Sequence, residues 1–155
     1  MRRAIALARE ADGKPGASPI GCVIVCGEKI IAEGHNEVDL RPDPTAHAEI
    51  VAIRRAAEHL GSSEMRGATL YSTLQPCGMC SMASIWAKIG RIVYGAQRNR
   101  VHRMYFEDRH LDTMDFITDA FRNDLTLTGG ILAKDCAALY YKPDDDVPVE
   151  EQGNI

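Results

Sequence analysis

The sequence predicts a three-layer α/β/α domain, in which a five-stranded mixed sheet carries helices on both faces. Short apolar runs alternate with segments of helical periodicity along the 155 residues, which favours a largely parallel sheet. The turn "GEK" joins the first two runs and indicates a hairpin, which adds one antiparallel strand. An apolar fraction of 45% and a charged fraction of 26% are typical of a globular domain with a buried core.

Each element follows from a local pattern. The predicted strands are apolar runs bounded by turn-forming residues, and they cover residues 20–26, 30–34, 68–74, 91–96 and 125–130. The predicted helices cover residues 2–12, 45–60, 76–89, 112–122 and 131–141. We expect Thr45 to cap the second helix and Pro76 to lie in the first turn of the third. Ile85 and Trp86 of the third helix are predicted to be core residues.

The charge distribution separates a domain from a tail. We expect a single domain over residues 1–142 and a flexible acidic tail over residues 143–155, which holds five acidic residues and no basic one. Without the tail, the net charge of −4 becomes a near balance of 17 acidic and 18 basic residues. No apolar run approaches the roughly 20 residues of a membrane-spanning helix. With no export signal, we expect a cytoplasmic protein that does not contact membranes.

A C-x-x-C pair, Cys77 and Cys80, directly follows the third predicted strand. By itself the pair is compatible with a redox site, half of a metal site or two buried thiols. The three other cysteines lie on apolar elements and are predicted to be buried thiols without a role: Cys22, Cys26 and Cys136. The pair therefore needs partners elsewhere in the chain before its chemistry can be assigned.

His47 and Glu49 supply these partners, at the start of the preceding helix in "TAHAEI". The pattern H-A-E, 26 residues and P-C-G-M-C resembles the signature of the zinc-dependent cytidine/deoxycytidylate deaminase superfamily, in its free-nucleobase (guanine or cytosine deaminase-like) or tRNA adenosine deaminase branch. The resemblance implies a cytidine-deaminase-like fold and one Zn²⁺ per chain. The zinc would be held by His47, Cys77 and Cys80, and Glu49 would move protons.

Elementary chemistry supports this assignment. Residues three apart at a helix start share one face, and the helix dipole there favours the thiolate form that binds zinc. Three protein ligands leave one zinc position for water, as in catalytic sites. One difficulty remains at the sequence level, because His47 and Glu49 would point about 200° apart on a regular helix.

The resemblance also implies a base-binding role for Asn36 in "GHNEV", where a turn asparagine is the alternative. Bacterial tRNA adenosine deaminases commonly read T-L-E-P-C-x-M-C around the cysteine pair, and Gln75 stands here in place of the glutamate. We expect Gln75 to support the zinc ligands without binding the metal itself.

Segment 97–111 is rich in arginine and contains candidate pocket residues. Phe106 or Tyr105 could stack on the substrate ring, while His102 contacts an exocyclic group. The alternatives are a solvated loop, a dimer contact, or a surface for single-stranded RNA.

We predict a hydrolytic deaminase of a free nucleobase or a related amino-heterocycle, such as guanine, cytosine or an aminotriazine-like ring, acting in purine or pyrimidine salvage. Attack of zinc-activated water on the ring would release its amino group as ammonia. The long stretch after the fourth strand, residues 97–121, and the acidic tail favour a small substrate. A tRNA-specific adenosine deaminase is the alternative. A non-catalytic zinc-stabilised binding module is the second alternative, against which Glu49 argues. Members of this branch are commonly dimers, so we expect a homodimer with interface residues on the Trp86 helix or in the arginine-rich segment.

Overall fold

The computed structural model of the chain describes residues 1–12, 18–106, 112–120 and 122–148. The strands are β1 (Gly21–Cys26), β2 (Lys29–His35), β3 (Thr69–Leu74), β4 (Arg91–Ala96) and β5 (Thr126–Thr128). The helices are α1 (Arg2–Ala11), α2 (Ala48–Leu60), α3 (Gly78–Trp86), α4 (Thr113–Asp119) and α5 (Ala133–Ala137). Two 3₁₀ turns, Arg98–Arg100 and Arg103–Tyr105, follow β4.

The five strands form one mixed sheet in the order β2-β1-β3-β4-β5. Strand β1 runs antiparallel to both of its neighbours, whereas β3, β4 and β5 are mutually parallel. The predicted five-stranded mixed sheet is therefore confirmed. Leu74 and Ala96, the last residues of β3 and β4, are direct partners in the ladder. The segments that follow these two strands consequently leave the sheet at the same edge.

Helices cover both faces of the sheet, as predicted. Helix α2 packs on β1, β2 and β3, with α3 beside it and α4 packed on α3. Helices α1 and α5 contact the opposite face. The larger hydrophobic core lies on the α2 side and includes Ile24, Leu70 and Ile92, which are fully buried. A second cluster, around Cys136 and Tyr140, fills the space under α5.

Helix α2 begins three residues later than the sequence predicts. Thr45 does not cap it, because the hydroxyl and N–H groups of Thr45 both donate to Oδ1 of Asp43, at 2.6 and 2.8 Å. His47 is the N-cap residue, and its backbone is extended with φ −61° and ψ 153°. Helix α3 likewise begins only at Gly78, which leaves Pro76 in the turn before the helix.

Two burial predictions are wrong. Trp86, the last residue of α3, is 73% exposed, because only one side of this helix faces the core. Its neighbour Ile85, one helical step away, is buried as predicted. Cys26 is exposed at the end of β1, whereas Cys22 and Cys136 are buried thiols as expected.

The described part of the predicted tail, residues 143–148, contains an ordered turn. The N–H of Lys142 donates to Oδ2 of Asp145 at 2.6 Å, and Val147 is buried. Residues 149–155 lie outside the described part of the chain, and the domain boundary at residue 142 stays a prediction. Among the described residues, no helix is both long and apolar enough to cross a membrane.

The first turn of α2 approaches β2 closely at Gly34. A Cβ atom on Gly34 would lie 2.7 Å from the carbonyl oxygen of Ala48 and 2.9 Å from the amide nitrogen of Ala52. Both of these are backbone atoms, so a side chain could be accommodated only by moving the helix. Glycine at this position therefore fixes how close the start of α2 lies to the sheet.

We predict that Gly34→Ala lowers the free energy of unfolding by about 1–3 kcal/mol, because α2 must shift to relieve the clash. Urea denaturation followed by circular dichroism measures this change. Gly90→Ala is the matched control, since the nearest contact of its Cβ would be 3.4 Å away. Equal losses in the two variants would contradict the proposed close approach.

Candidate active site

Three side chains converge where α2 and α3 begin. Nδ1 of His47 lies 3.6 Å from Sγ of Cys77 and 3.6 Å from Sγ of Cys80. The three candidate ligand atoms all lie within 4.8 Å of one another. Cys77 is the N-cap residue of α3 and Cys80 lies in its first turn, so each of the two helices contributes its amino-terminal end to the cluster.

This cluster fits a zinc ion. Tetrahedral zinc with Zn–S bonds near 2.3 Å and Zn–N bonds near 2.0–2.1 Å implies S···N separations of about 3.5 Å. The observed S···N separations of 3.6 Å match that requirement. An imidazole placed equally between two thiols also distinguishes this site from a simple dithiol redox pair.

The two thiols differ sharply in acidity. The pKa of Cys77 falls to about 4, mainly because the thiol of Cys80 donates a hydrogen bond to it and also because His47 lies beside it. The pKa of Cys80 rises, because its proton is held in that bond and because the residue is buried. One thiolate is therefore available near neutral pH, and the thiolate is the form that binds metal.

Glu49 borders the same cluster. Its carboxylate is buried, with Oε2 3.5 Å from Sγ of Cys80, while Oε1 accepts a hydrogen bond from the hydroxyl of Ser72 at 3.0 Å. Burial is the main cause of its raised pKa, and the nearby Cys77 adds to the effect. A buried carboxyl group with a raised pKa is well suited to accept and return a proton.

The extended backbone of His47 removes the difficulty posed by the sequence. A separation of about 200°, which corresponds to two helical steps, applies only when both residues are helical. His47 precedes the first helical residue, Ala48, and Glu49 follows it. The two side chains can therefore approach the same end of α2.

Sequence reasoning missed Ser72 and Thr73, two hydroxyl residues in the buried strand β3. Ser72 holds Glu49, whereas the Thr73 hydroxyl shares a 2.6 Å hydrogen bond with Tyr140 and accepts one from the N–H of Gly21 at 3.1 Å. The available signal was a polar pair inside the otherwise apolar run "LYSTL", because buried hydroxyl groups require partners.

Asn36 is buried just after β2. Its Oδ1 accepts a hydrogen bond from the N–H of Val38 at 3.0 Å, which is the turn role that the sequence left open. This bond fixes the orientation of the side-chain amide. Its Nδ2 group has no acceptor among the described residues, so it could still donate to a substrate. The base-binding role stays a prediction.

Gln75 is 2% exposed, and its side-chain amide is bonded to residues other than the candidate zinc ligands. Nε2 of Gln75 donates to Oδ2 of Asp112 at 2.8 Å, and its Oε1 accepts from the N–H of Arg98 at 3.2 Å. Gln75 therefore links the end of β3 to two segments that are distant in sequence. These contacts do not test whether Gln75 supports the zinc ligands, and that role stays a prediction.

The three aromatic residues predicted to form a base pocket make their described contacts elsewhere. His102 is buried, and its Nδ1 accepts from the N–H of Met104 at 3.2 Å. Tyr105 packs edge-on against Tyr140 with ring centroids 5.2 Å apart, and both line a cavity of about 400 Å³.

Phe106 is buried in the hydrophobic cluster under α5, with the guanidinium of Arg98 5.3 Å from its ring centroid. None of these described contacts reaches the thiol–imidazole cluster, so the pocket roles of His102, Tyr105 and Phe106 stay predictions. Residues 107–111 of the same segment lie outside the described part of the chain.

A family model places these residues in context. The model of the cytidine and deoxycytidylate deaminase zinc-binding region matches residues 1–96, which include His47, Glu49, Cys77 and Cys80. The chain belongs to this family. Zn²⁺ is accordingly its cofactor, and the described cluster has the ligand types and spacing that zinc requires.

Individual relatives extend the comparison beyond the zinc-binding region. The tRNA-specific adenosine deaminase of Haemophilus influenzae is 36% identical over 142 residues, covering 88% of this chain and 76% of the relative. The guanine deaminase of Bacillus subtilis is 40% identical over 108 residues, covering 70% of this chain and 69% of the relative. A solved structure from studies of A-to-I editing by tRNA:A34 deaminases superimposes with a TM-score of 0.75, at 35% identity, covering 90% of this chain and 96% of that chain.

The protein is a deaminase, a hydrolase acting on C–N bonds, but the prediction of a free-nucleobase substrate is wrong. These tRNA-specific relatives match this chain over more of its length than the Bacillus subtilis guanine deaminase does, including much of the region after β4. The small substrate inferred from the acidic tail and from the stretch after β4 is therefore not supported, because the similarity to tRNA-specific relatives extends along most of the chain.

We predict about one zinc per chain in the purified protein, and loss of most of that zinc in Cys80→Ala, because two ligands hold zinc poorly. Elemental analysis after gel filtration measures the ratio. Cys136→Ala is the matched control, since Cys136 is also buried but lies under α5. Zinc retained by Cys80→Ala, or lost equally from both variants, would contradict the assigned ligand set.

Proposed function

We propose that this protein is a tRNA-specific adenosine deaminase, which hydrolyses an adenosine of tRNA to inosine and releases ammonia. The strongest support is the similarity to tRNA-specific relatives along nearly the whole chain, at 88% and 90% coverage. The geometry adds a buried carboxyl group beside a cluster fitted to zinc. A non-catalytic zinc module would not need Glu49 at that place.

The chemistry divides between the metal and the carboxyl group. Zn²⁺, when bound, supplies Lewis acidity that lowers the pKa of water to near neutrality. We assign two proton transfers to Glu49. The first proton of the attacking water goes to the ring nitrogen, and the second, from the hydroxyl group then on the ring carbon, goes to the departing amine, which leaves as ammonia. Ser72 holds one oxygen of Glu49, so the other oxygen faces the cluster in a fixed orientation.

Recognition of the base requires donors as well as catalytic groups. A deaminase acts on a base that has left its stack, and it identifies the base by hydrogen bonds. The Nδ2 group of Asn36 is a buried donor with no acceptor among the described residues, and its orientation is fixed by the bond from Val38. We assign this donor to the substrate.

Recognition of the RNA backbone requires cations near the site. The exposed side chains of Arg100 and Arg103 lie on the two turns that follow β4 and form no ion pair with any described residue. The bond between Arg98 and Gln75 ties this segment to the strand end that precedes Cys77. Arginines placed at that edge are suited to contact phosphates.

The cellular setting follows from the substrate. A tRNA substrate agrees with the cytoplasmic location expected from the sequence. A homodimer also stays a prediction, and the exposed Trp86 at the end of α3 is the described residue that would best fit an interface.

A substrate panel tests the proposed function. We predict inosine formation in a tRNA with adenosine at the wobble position, and no ammonia release from guanine, cytosine or free adenosine. Glu49→Gln should retain zinc and lose activity by at least about a hundredfold, because proton transfer is removed while the ligands remain. Nucleoside analysis of digested tRNA and a coupled ammonia assay provide the two measurements.

Turnover of free bases without any conversion of tRNA would overturn the proposal. Activity retained by a zinc-loaded Glu49→Gln variant would instead overturn only the assigned proton transfer, and it would leave the choice of substrate open to the panel.

The arginine segment gives a separate prediction. Replacing both Arg100 and Arg103 by alanine should raise KM for tRNA about tenfold with little change in kcat, since phosphate contacts contribute binding. The slope of log KM against log salt should fall by about 1.4 to 1.8 units, since each phosphate contact contributes about 0.7 to 0.9. Steady-state kinetics at several salt concentrations measure both effects.

The control variant is Arg66→Ala with Arg91→Ala, which removes the same charge from the amino-terminal ends of β3 and β4. An equal rise of KM in both double variants would indicate a general charge effect and contradict a local phosphate contact.

A further inference from the structure

We propose that Gln75 is a positioning residue for the cysteine turn, residues 76–80, and that its amide is matched specifically to Asp112. The inference rests on the zinc site and is independent of the RNA substrate. Gln75 lies two residues before Cys77 and is 2% exposed. Its backbone N–H donates to the carbonyl of Ala96 at 2.9 Å, which continues the pairing of β3 with β4.

The side-chain amide of Gln75 uses both of its functions. Its NH₂ group donates to Oδ2 of Asp112 at 2.8 Å, and its oxygen accepts the N–H of Arg98 at 3.2 Å. A carboxylate could replace only the second of these bonds, because it has no proton to donate. Glutamate at position 75 would also face the carboxylate of Asp112, which is unfavourable between two like charges.

The Asp112 side chain cannot rotate away from position 75 without breaking hydrogen bonds at the start of α4. Its Oδ1 accepts the N–H of Met114 at 3.0 Å, and its own N–H donates to Oδ2 of Asp115 at 2.8 Å. Asp112 and Asp115 form a capping box at the start of α4. One oxygen of Asp112 therefore holds α4, and the other is left for Gln75.

Helix α4 in turn holds the cysteine turn. The hydroxyl of the fully buried Thr113 donates to the carbonyl of Pro76 at 3.1 Å. The ring of Phe116 covers Gly78 so closely that a Cβ there would lie 2.9 Å from Cζ. The residues on both sides of Cys77 thus contact α4, and Gln75 fixes the start of that helix. This arrangement gives a physical reason for glutamine, not glutamate, at position 75.

The test exchanges the donor and the acceptor in the hydrogen bond between positions 75 and 112. Gln75→Glu should release zinc to a chromogenic chelator about tenfold faster than the natural protein, which is the lower range for groups that support metal ligands. Combining Gln75→Glu with Asp112→Asn should restore the rate to within about twofold, because the new amide at position 112 can donate to the new carboxylate at position 75 and still cap α4. Asp112→Asn alone should also accelerate release, since two NH₂ groups then face each other.

The visible spectrum of the cobalt(II)-substituted protein gives a second readout. Its thiolate and ligand-field bands should change in Gln75→Glu and return in the double variant. A defect confined to overall stability would leave these bands unchanged in the folded protein.

Asp115→Ala is the matched control, because it removes half of the capping box but leaves the Gln75–Asp112 bond intact. Zinc release in this variant should stay within about twofold of the natural rate. The inference is overturned if Gln75→Glu releases zinc at the natural rate. It is also overturned if the folded double variant releases zinc as fast as Gln75→Glu, or if Asp115→Ala releases zinc as fast as Gln75→Glu. If Gln75→Glu does not fold, Asp112→Asn is compared with the double variant instead. The inference then requires that the double variant release zinc more slowly than Asp112→Asn.

Discussion

The site depends on the amino-terminal ends of α2 and α3 meeting over one edge of the sheet. His47 and Cys77 are the N-cap residues of these helices, so their backbones are extended and their side chains are not restricted to helical directions. Gly34 allows α2 to lie close to β2, and the parallel pairing of β3 with β4 brings the cysteine turn to the same edge. A shift of either helix by an ångström would separate an imidazole from thiols that now lie 3.6 Å away.

Local chemistry at this edge follows from exclusion of water. Glu49 is buried against one thiol and one hydroxyl group, which explains its raised pKa and its fixed orientation. The neighbouring residue on β3, Thr73, points to the opposite face and is bonded to Tyr140 near α5. Adjacent residues of a single strand therefore serve the two sides of the sheet separately, as the two-residue period of a strand requires.

The order of elements, the mixed sheet and the grouping of His47 with the cysteine pair could be predicted from the sequence, because each leaves a local pattern. The helix starts could not, since the bonds from Thr45 to Asp43 compete with capping and depend on the loop conformation. The exposure of Trp86 depends on which face of α3 meets the core. Helix α3 carries apolar residues on several faces, so the sequence does not indicate which face is buried. The substrate class was predicted wrongly, because the length and charge of segments outside the zinc-binding motif do not identify the substrate.

The position of Gln75 divides the chain into a part that carries the reaction and a part that follows β4. The residues assigned to the reaction all precede position 81, whereas the arginine turns and α4 follow β4. Across this boundary, one buried amide joins the end of β3 to both later segments. Anyone who grafts a different recognition segment onto this catalytic half must therefore redesign the joint at position 75 together with the new segment.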